Sequence, residues 1–99
     1  MIVAVTGSAV ELRDPDNFRQ FHVAADPGTD IAVALAAAGA GLPADDADVF
    51  VTVDWLRTEA ARLGVGDDWS AGFAAMLDYA ATNGWLNDDH TAIRAHVEP

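Results

Sequence analysis

The chain has 99 residues and an apolar fraction of 52%, which together predict one folded domain with a modest core. The chain has sixteen acidic residues and five basic ones, and every basic residue is Arg. The resulting net charge of −11 argues against nucleic-acid and anionic-membrane partners. The absence of Cys excludes disulfides, thiol catalysis and Cys-based metal sites, and the lack of a secretory signal or a membrane-spanning apolar run predicts a cytoplasmic protein.

Residues 1–28 are predicted to form a β-hairpin extension or a three-stranded meander. "IVAV" is a short apolar run, and "AVELR" alternates, with Val10 and Leu12 on one face. "DPDN" is typical of a turn because Pro15 presets φ and its polar neighbours can bond their own backbone. "FRQFHVA" then returns as a strand, with Phe21 and Val23 on the same face.

The first helix is predicted to follow "ADPGTD". Thr29 or Asp30 can accept hydrogen bonds from the free amides of its first turn. Ile31 and Leu35 lie on its apolar face, and the glycines of "AAAGAGL" are expected to end it.

The segment "PADDADVFVTVDWLRTEAARLG" permits two interpretations. "VFVTV" is rich in β-branched residues, which favour strands. We favour a strand at 49–53, then a helix that is capped by Asp54 and closed by Gly64. The alternative is one longer helix, because the apolar residues also recur at helical spacing: Val49, Val53, Leu56, Ala60 and Leu63.

The stretch "DDWSAGFAAMLDYAATNGW" predicts a third helix. Asp68 is its expected cap, and Gly84 after Asn83 is a typical left-handed end. After it, "WLNDDHTAIRAHV" predicts a strand, a polar turn and a second strand. The apolar face of the helix recurs at helical spacing: Trp69, Phe73, Met76, Leu77, Ala80 and Ala81.

This order of elements over residues 29–97 resembles that of a winged-helix domain. The resemblance implies one α+β domain, in which a helix-strand-helix-helix-strand-strand core follows the N-terminal β-hairpin. It also places the third helix where a DNA-recognition helix lies, yet that helix has no Arg or Lys, so we expect no DNA binding. The Ala- and Asp-rich, Lys-free composition also resembles that of small proteins of high-GC actinobacteria, which implies no activity.

No catalytic, cofactor or metal site is predicted. "VAVTGSA" and "GAGLPA" lack the glycine spacing and context of a nucleotide-binding turn. His90 and His96 are too far apart along the chain to share one ion, and neither Ser8 nor Ser70 lies in a nucleophile elbow. The acidic stretch around Asp46 is expected to be a solvated loop rather than a cation site.

The favoured hypothesis is a small acidic protein-interaction or regulatory module whose partner is a basic protein or a second copy of the chain. One alternative is a small ligand-binding or enzymatic α+β domain, which a deep pocket lined by Asp, His and Arg would favour. A second alternative is an acidic decoy that imitates DNA, which regularly spaced surface carboxylates would favour. Five residues are candidates for contacting a partner: Trp55, Trp85, His90, Arg94 and His96.

Overall fold

The computed structural model describes residues 1–7, 9–26, 28–44 and 48–98 and has the predicted α+β class. Within these residues three helices pack with a six-stranded mixed sheet. The strands are β1 (Ile2–Thr6), β2 (Ala9–Arg13), β3 (His22–Ala25), β4 (Gly41–Pro43), β5 (Asp48–Thr52) and β6 (Ala92–Glu98). The helices are α1 (Ile31–Ala37), α2 (Val53–Arg62) and α3 (Trp69–Thr82).

The strands lie in the order β2-β1-β3-β6-β5-β4. A hairpin is present in the predicted N-terminal region and is formed by β1 and β2, but the predicted return of "FRQFHVA" across the "DPDN" turn, and with it the meander, is wrong, because β3 pairs in parallel with β1 rather than with β2. The connection over residues 14–21 crosses the end of β1, where the Met1 amine donates to the carbonyls of Asn17 at 2.5 Å and Gln20 at 2.7 Å. Since β3 also pairs in parallel with β6, the N-terminal strands belong to the same sheet as the rest of the chain.

One face of the sheet forms the core together with the helices. Helix α2 contacts both β2 and β5, and α1 contacts β1, β2 and β4, although these strands lie towards opposite edges of the sheet. The largest fully buried side chains include Val3, Val23, Leu35, Val51, Leu56, Phe73 and Ile93.

The junction between β5 and α2 confirms the predicted strand but corrects the start of the helix. Helix α2 begins at Val53, so Thr52, rather than Asp54, holds the cap position. The hydroxyl of Thr52 donates to the Gly39 carbonyl at 3.0 Å, and the Val53 amide donates to the Thr91 carbonyl at 2.9 Å. These long-range hydrogen bonds hold the junction in place, so the helix begins directly after the strand.

The sequence pattern does not indicate strand β4, because Gly41 in "AAAGAGL" is typical of a helix end. A side chain at Gly41 would place its Cβ 2.7 Å from the carbonyl oxygen of Phe50 and 3.1 Å from the Leu35 side chain. The glycine therefore permits a close approach between β4, β5 and the helix above them.

All three helices end at the predicted glycines, which adopt positive φ angles of 68° at Gly39, 76° at Gly64 and 73° at Gly84. At the end of α3 the Gly84 amide donates to Ala81 at 3.1 Å, and the Trp85 amide donates to Ala80 at 2.9 Å. This paired arrangement satisfies the last carbonyls and fixes where Trp85 leaves the helix.

At the N-termini of α1 and α3, the predicted cap residues differ in whether the side chain makes a hydrogen bond. Asp30 accepts from the Val33 amide at 3.2 Å, which confirms it as the cap of α1. Asp68 holds the cap position of α3 but makes no side-chain cap bond, because its backbone is already helical.

The C-terminal segment contains the predicted strand β6, in which Ile93 and Ala95 are buried. The strand predicted before it is reduced to one bridge, between Leu86 and Ile93. The Trp85 carbonyl accepts from the Arg94 amide at 2.6 Å, which ties the end of α3 to β6. From α1 to β6 the three helices and strands β5 and β6 follow the predicted order, but β4 is added, and among the described residues the strand predicted before β6 is not formed.

Candidate binding groove

A groove of about 440 Å³ opens where the C-terminal half of α3, the loop before β3 and strand β6 meet. We call it the aromatic groove. Its apolar lining is Phe18, Phe21, Met76, Tyr79, Ala80, Trp85 and Ile93. Its polar lining is Arg19, Asp48, Arg94 and His96.

One wall of the aromatic groove is a pair of exposed rings. The centroids of Tyr79 and Trp85 lie 5.6 Å apart, with the ring planes at 71°, an edge-to-face arrangement. The side chain of Tyr79 is 63% exposed and that of Trp85 is 43% exposed. Tyr79 is exposed because it lies off the buried stripe of α3 that contains Trp69, Phe73 and Ala80.

A second wall comes from the loop over residues 14–21, which is anchored to the start of α3. The Trp69 indole N–H donates to the Pro15 carbonyl at 2.8 Å, and its ring stacks on Phe73 with centroids 4.6 Å apart. The Phe18 ring lies against Gly72, so closely that a Cβ there would meet its Cζ atom at 2.9 Å. The wall is therefore held in place before any ligand binds.

Replacing Gly72 with Ala is expected to displace the Phe18 ring and reshape this wall. Such overpacking costs about 1–3 kcal/mol, partly offset by the better helix propensity of Ala. The matched control is Gly66→Ala, where an added Cβ meets nothing within 4 Å. Thermal melting and the NMR shifts of Phe18 measure the effect; equal behaviour of the two variants would contradict the tight contact.

The floor of the aromatic groove is a charged cluster on β5 and β6. Arg94 Nη1 donates to Asp48 Oδ2 at 3.0 Å, and His96 Nδ1 lies 3.3 Å from Asp48 Oδ1. The Arg94 guanidinium also lies 5.4 Å above the centre of the Phe50 ring. The strand register explains the cluster, because Asp48 pairs with His96 and Phe50 pairs with Arg94.

The structure brings three of the five predicted partner-binding residues together. Trp85, Arg94 and His96 line the aromatic groove. Trp55 lies on α2, half-buried against the core, and His90 is exposed in the turn before β6, with a φ of 57°. Neither of these two lines the groove.

Sequence reasoning missed the rest of the lining. The one usable signal was Tyr79, an aromatic residue outside the apolar stripe of its helix, six positions before the exposed Trp85. Phe18 and Arg19 lie in a loop whose position depends on distant contacts, so no local pattern marks them. Of the acidic residues around the start of β5, Asp48 is the first residue of the strand and lines the groove, while Asp45 and Asp46 lie outside the described residues.

The chemistry of the aromatic groove suits binding. Exposed rings can pack against an apolar group while the charged floor and Arg19 contact polar atoms. Across residues 1–7, 9–26, 28–44 and 48–98, no three His, Asp or Glu side chains are arranged to hold a metal ion. Among the helices of the same ranges, none has the length and apolar character to cross a membrane.

The fold and the groove define a class, a small α+β domain with a groove lined by aromatic side chains. Comparison of the chain with known protein families, curated proteins and solved structures found no match. A fold alone does not specify a function, so the groove is the feature from which a function can be inferred.

Proposed function

We propose that this chain is an acidic, cytoplasmic protein-interaction module that binds a short segment of a partner protein in the aromatic groove and does not bind DNA. The observation that carries the proposal is the exposed pair Tyr79 and Trp85, whose rings lie side by side at the groove. Trp and Tyr are enriched among the residues that dominate binding energy, and clustered exposed apolar side chains mark interaction sites.

Contacts within the protein hold the lining of the aromatic groove in place, which favours a preformed binding surface. Trp85 follows a fixed helix end, Phe18 lies against Gly72, and Arg94 is held by Asp48. A partner segment therefore binds side chains that are already placed, which lowers the ordering cost of association.

The exclusion of DNA rests on charge. Helix α3 has no Arg or Lys, it carries Asp78, and Asp67 and Asp68 precede it. Phosphate contacts supply most of the affinity of DNA-binding proteins, and these carboxylates repel phosphates. We expect duplex DNA to remain unbound even at low salt.

Small-ligand binding is the second candidate function. The groove volume of about 440 Å³ lies within the range of roughly 300–1,000 Å³ that is typical of small-molecule sites. Asp48, Arg94 and His96 would supply the orienting polar contacts. A small molecule that raises the melting temperature of the parent but not of a Trp85→Ala variant would favour this candidate.

Selection of peptides from a random displayed library tests the main proposal. We expect enriched peptides to bind the parent protein and to lose about tenfold or more in affinity on Trp85→Ala, because that change removes one of the two exposed rings of the groove. Val33→Ala is the matched control, since Val33 is an exposed apolar residue of α1 outside the groove. Peptides that bind Trp85→Ala as tightly as the parent, or duplex DNA that binds at low salt, would refute the proposal.

A further inference from the structure

The aromatic groove differs in charge from the molecule around it. The chain has sixteen acidic residues and a net charge of −11. Two of its five Arg residues, Arg19 and Arg94, nevertheless line the groove. Among the described lining residues the one carboxylate is that of Asp48, which already contacts Arg94 and His96. The groove is thus a local site of positive charge on an acidic protein.

Arg19 stands apart from the other Arg side chains. Arg13 pairs with Glu11, Arg62 with Glu59 and Arg94 with Asp48, while the Arg57 guanidinium lies 5.5 Å above the Phe73 ring. Within the described ranges, the guanidinium of Arg19 has neither a carboxylate within 4.0 Å nor an aromatic ring beneath it, although it lines the groove.

The backbone around Arg19 is fixed even though its side chain is exposed. Its amide donates to the Asn17 side-chain oxygen at 3.2 Å, and the Met1 amine binds the carbonyls on either side, at Asn17 and Gln20. Burial lowers the pKa of that amine, and the nearby Asp14 carboxylate opposes the shift to a smaller extent. The loop therefore fixes the point from which the Arg19 side chain leaves the backbone beside the groove.

We propose that the partner segment is acidic: an Asp or Glu side chain within it pairs with Arg19 while a neighbouring apolar side chain packs against Tyr79 and Trp85. A guanidinium binds a carboxylate with two parallel hydrogen bonds, which gives orientation as well as attraction. This inference rests on the proposed function and specifies the chemistry of its partner.

The net charge of the whole chain favours a basic partner, so two electrostatic effects compete. Charges on exposed surfaces are screened beyond a Debye length of about 8 Å at physiological ionic strength. The affinity of a carboxylate for Arg19 therefore depends mainly on the direct contact. The remote carboxylates of this chain mainly slow the association of an acidic partner. The local guanidinium determines the preference of the groove.

Charge reversal tests the proposal in the same displayed-library format. Selections on the parent and on Arg13→Glu are expected to enrich Asp or Glu beside an apolar residue. Selection on Arg19→Glu is expected to shift towards Lys or Arg. Arg13→Glu is the matched control because it changes the net charge equally at a residue outside the groove.

Synthetic versions of the enriched peptides give the magnitude. Replacing the acidic residue with its amide should weaken binding to the parent by up to about 5-fold and leave binding to Arg19→Gln unchanged. Enriched peptides without an acidic preference, or an equal shift on Arg13→Glu, would overturn this inference while the proposed function stands. If no enriched peptide requires Trp85 for its binding, that result would instead refute the proposed function. A dimer in solution that Trp85→Ala dissociates would assign the groove to a second copy and would also overturn the inference.

Discussion

Replacing Phe73 with Ala is expected to lower the free energy of unfolding by about 3–5 kcal/mol. The Phe73 side chain is 1% exposed and stacks on Trp69, which in turn holds the loop over residues 14–21. Its truncation leaves a cavity beneath Trp69, and small domains have only about 5–15 kcal/mol of total stability. Urea unfolding followed by circular dichroism measures the loss.

Tyr79→Ala is the control for this change, because it truncates an aromatic residue of the same helix that is largely exposed. We expect its midpoint to stay near that of the parent. Equal midpoints for the Phe73 and Tyr79 variants would show that the buried face of α3 is assigned incorrectly.

Replacing Ile93 with Asp is expected to be the most damaging single change in β6, at about 4 kcal/mol or more. Ile93 is 2% exposed, opposite Val51 on β5, and bridges Leu86 on its other side. The substitution both removes a large apolar side chain from the core and places a carboxyl group at an almost fully buried position. Thermal melting and the yield of folded protein measure the effect.

Leu42→Asp provides the comparison for the same chemical change in the same sheet. Leu42 is 52% exposed on β4, so a carboxylate there stays hydrated and the expected loss is below about 1 kcal/mol. A Leu42 variant that unfolds as readily as the Ile93 variant would mean that added negative charge, rather than burial, decides the outcome.

Arg94 shows how a strand pattern predicts a face but not its contacts. Alternation in "TAIRAHV" correctly places Ile93 and Ala95 inward and Arg94 outward. The same pattern suggests that Arg94→Glu is mild because the side chain points to solvent. In the structure the Arg94 guanidinium binds Asp48 and covers Phe50, so that change would set two carboxylates side by side.

The features that could be predicted from the sequence are mostly local. Gly64 and Gly84 end their helices because only glycine adopts positive φ at little cost, and Asp30 caps α1 through an amide three residues away. The pairing of β3 with β6 could not be predicted, because a four-residue strand shows which side chains face inward without showing which strand lies beside it. Strand β4 was missed for the same reason, since Gly41 is explained by the distant carbonyl of Phe50.

The candidate site also combines residues that could be predicted from local sequence with residues that could not. Trp85 could be recognised from its position after a helix end, and Arg94 and His96 from their outward places on a strand. The other half of the aromatic groove depends on Phe18 and Arg19, which reach it through long-range contacts of their loop. The spacing of residues in the sequence does not reveal such contacts.

The place of β6 at the centre of the sheet has a consequence for the order of folding events. Its parallel neighbour β3 comes from the first quarter of the chain, and β6 comes from the last residues described. During synthesis β1, β2 and β3 emerge early, but β3 has an unpaired edge until residues 92–98 leave the ribosome. Pairing across such a sequence separation is slow, so the nascent chain exposes that edge for longer than a chain of sequentially paired strands.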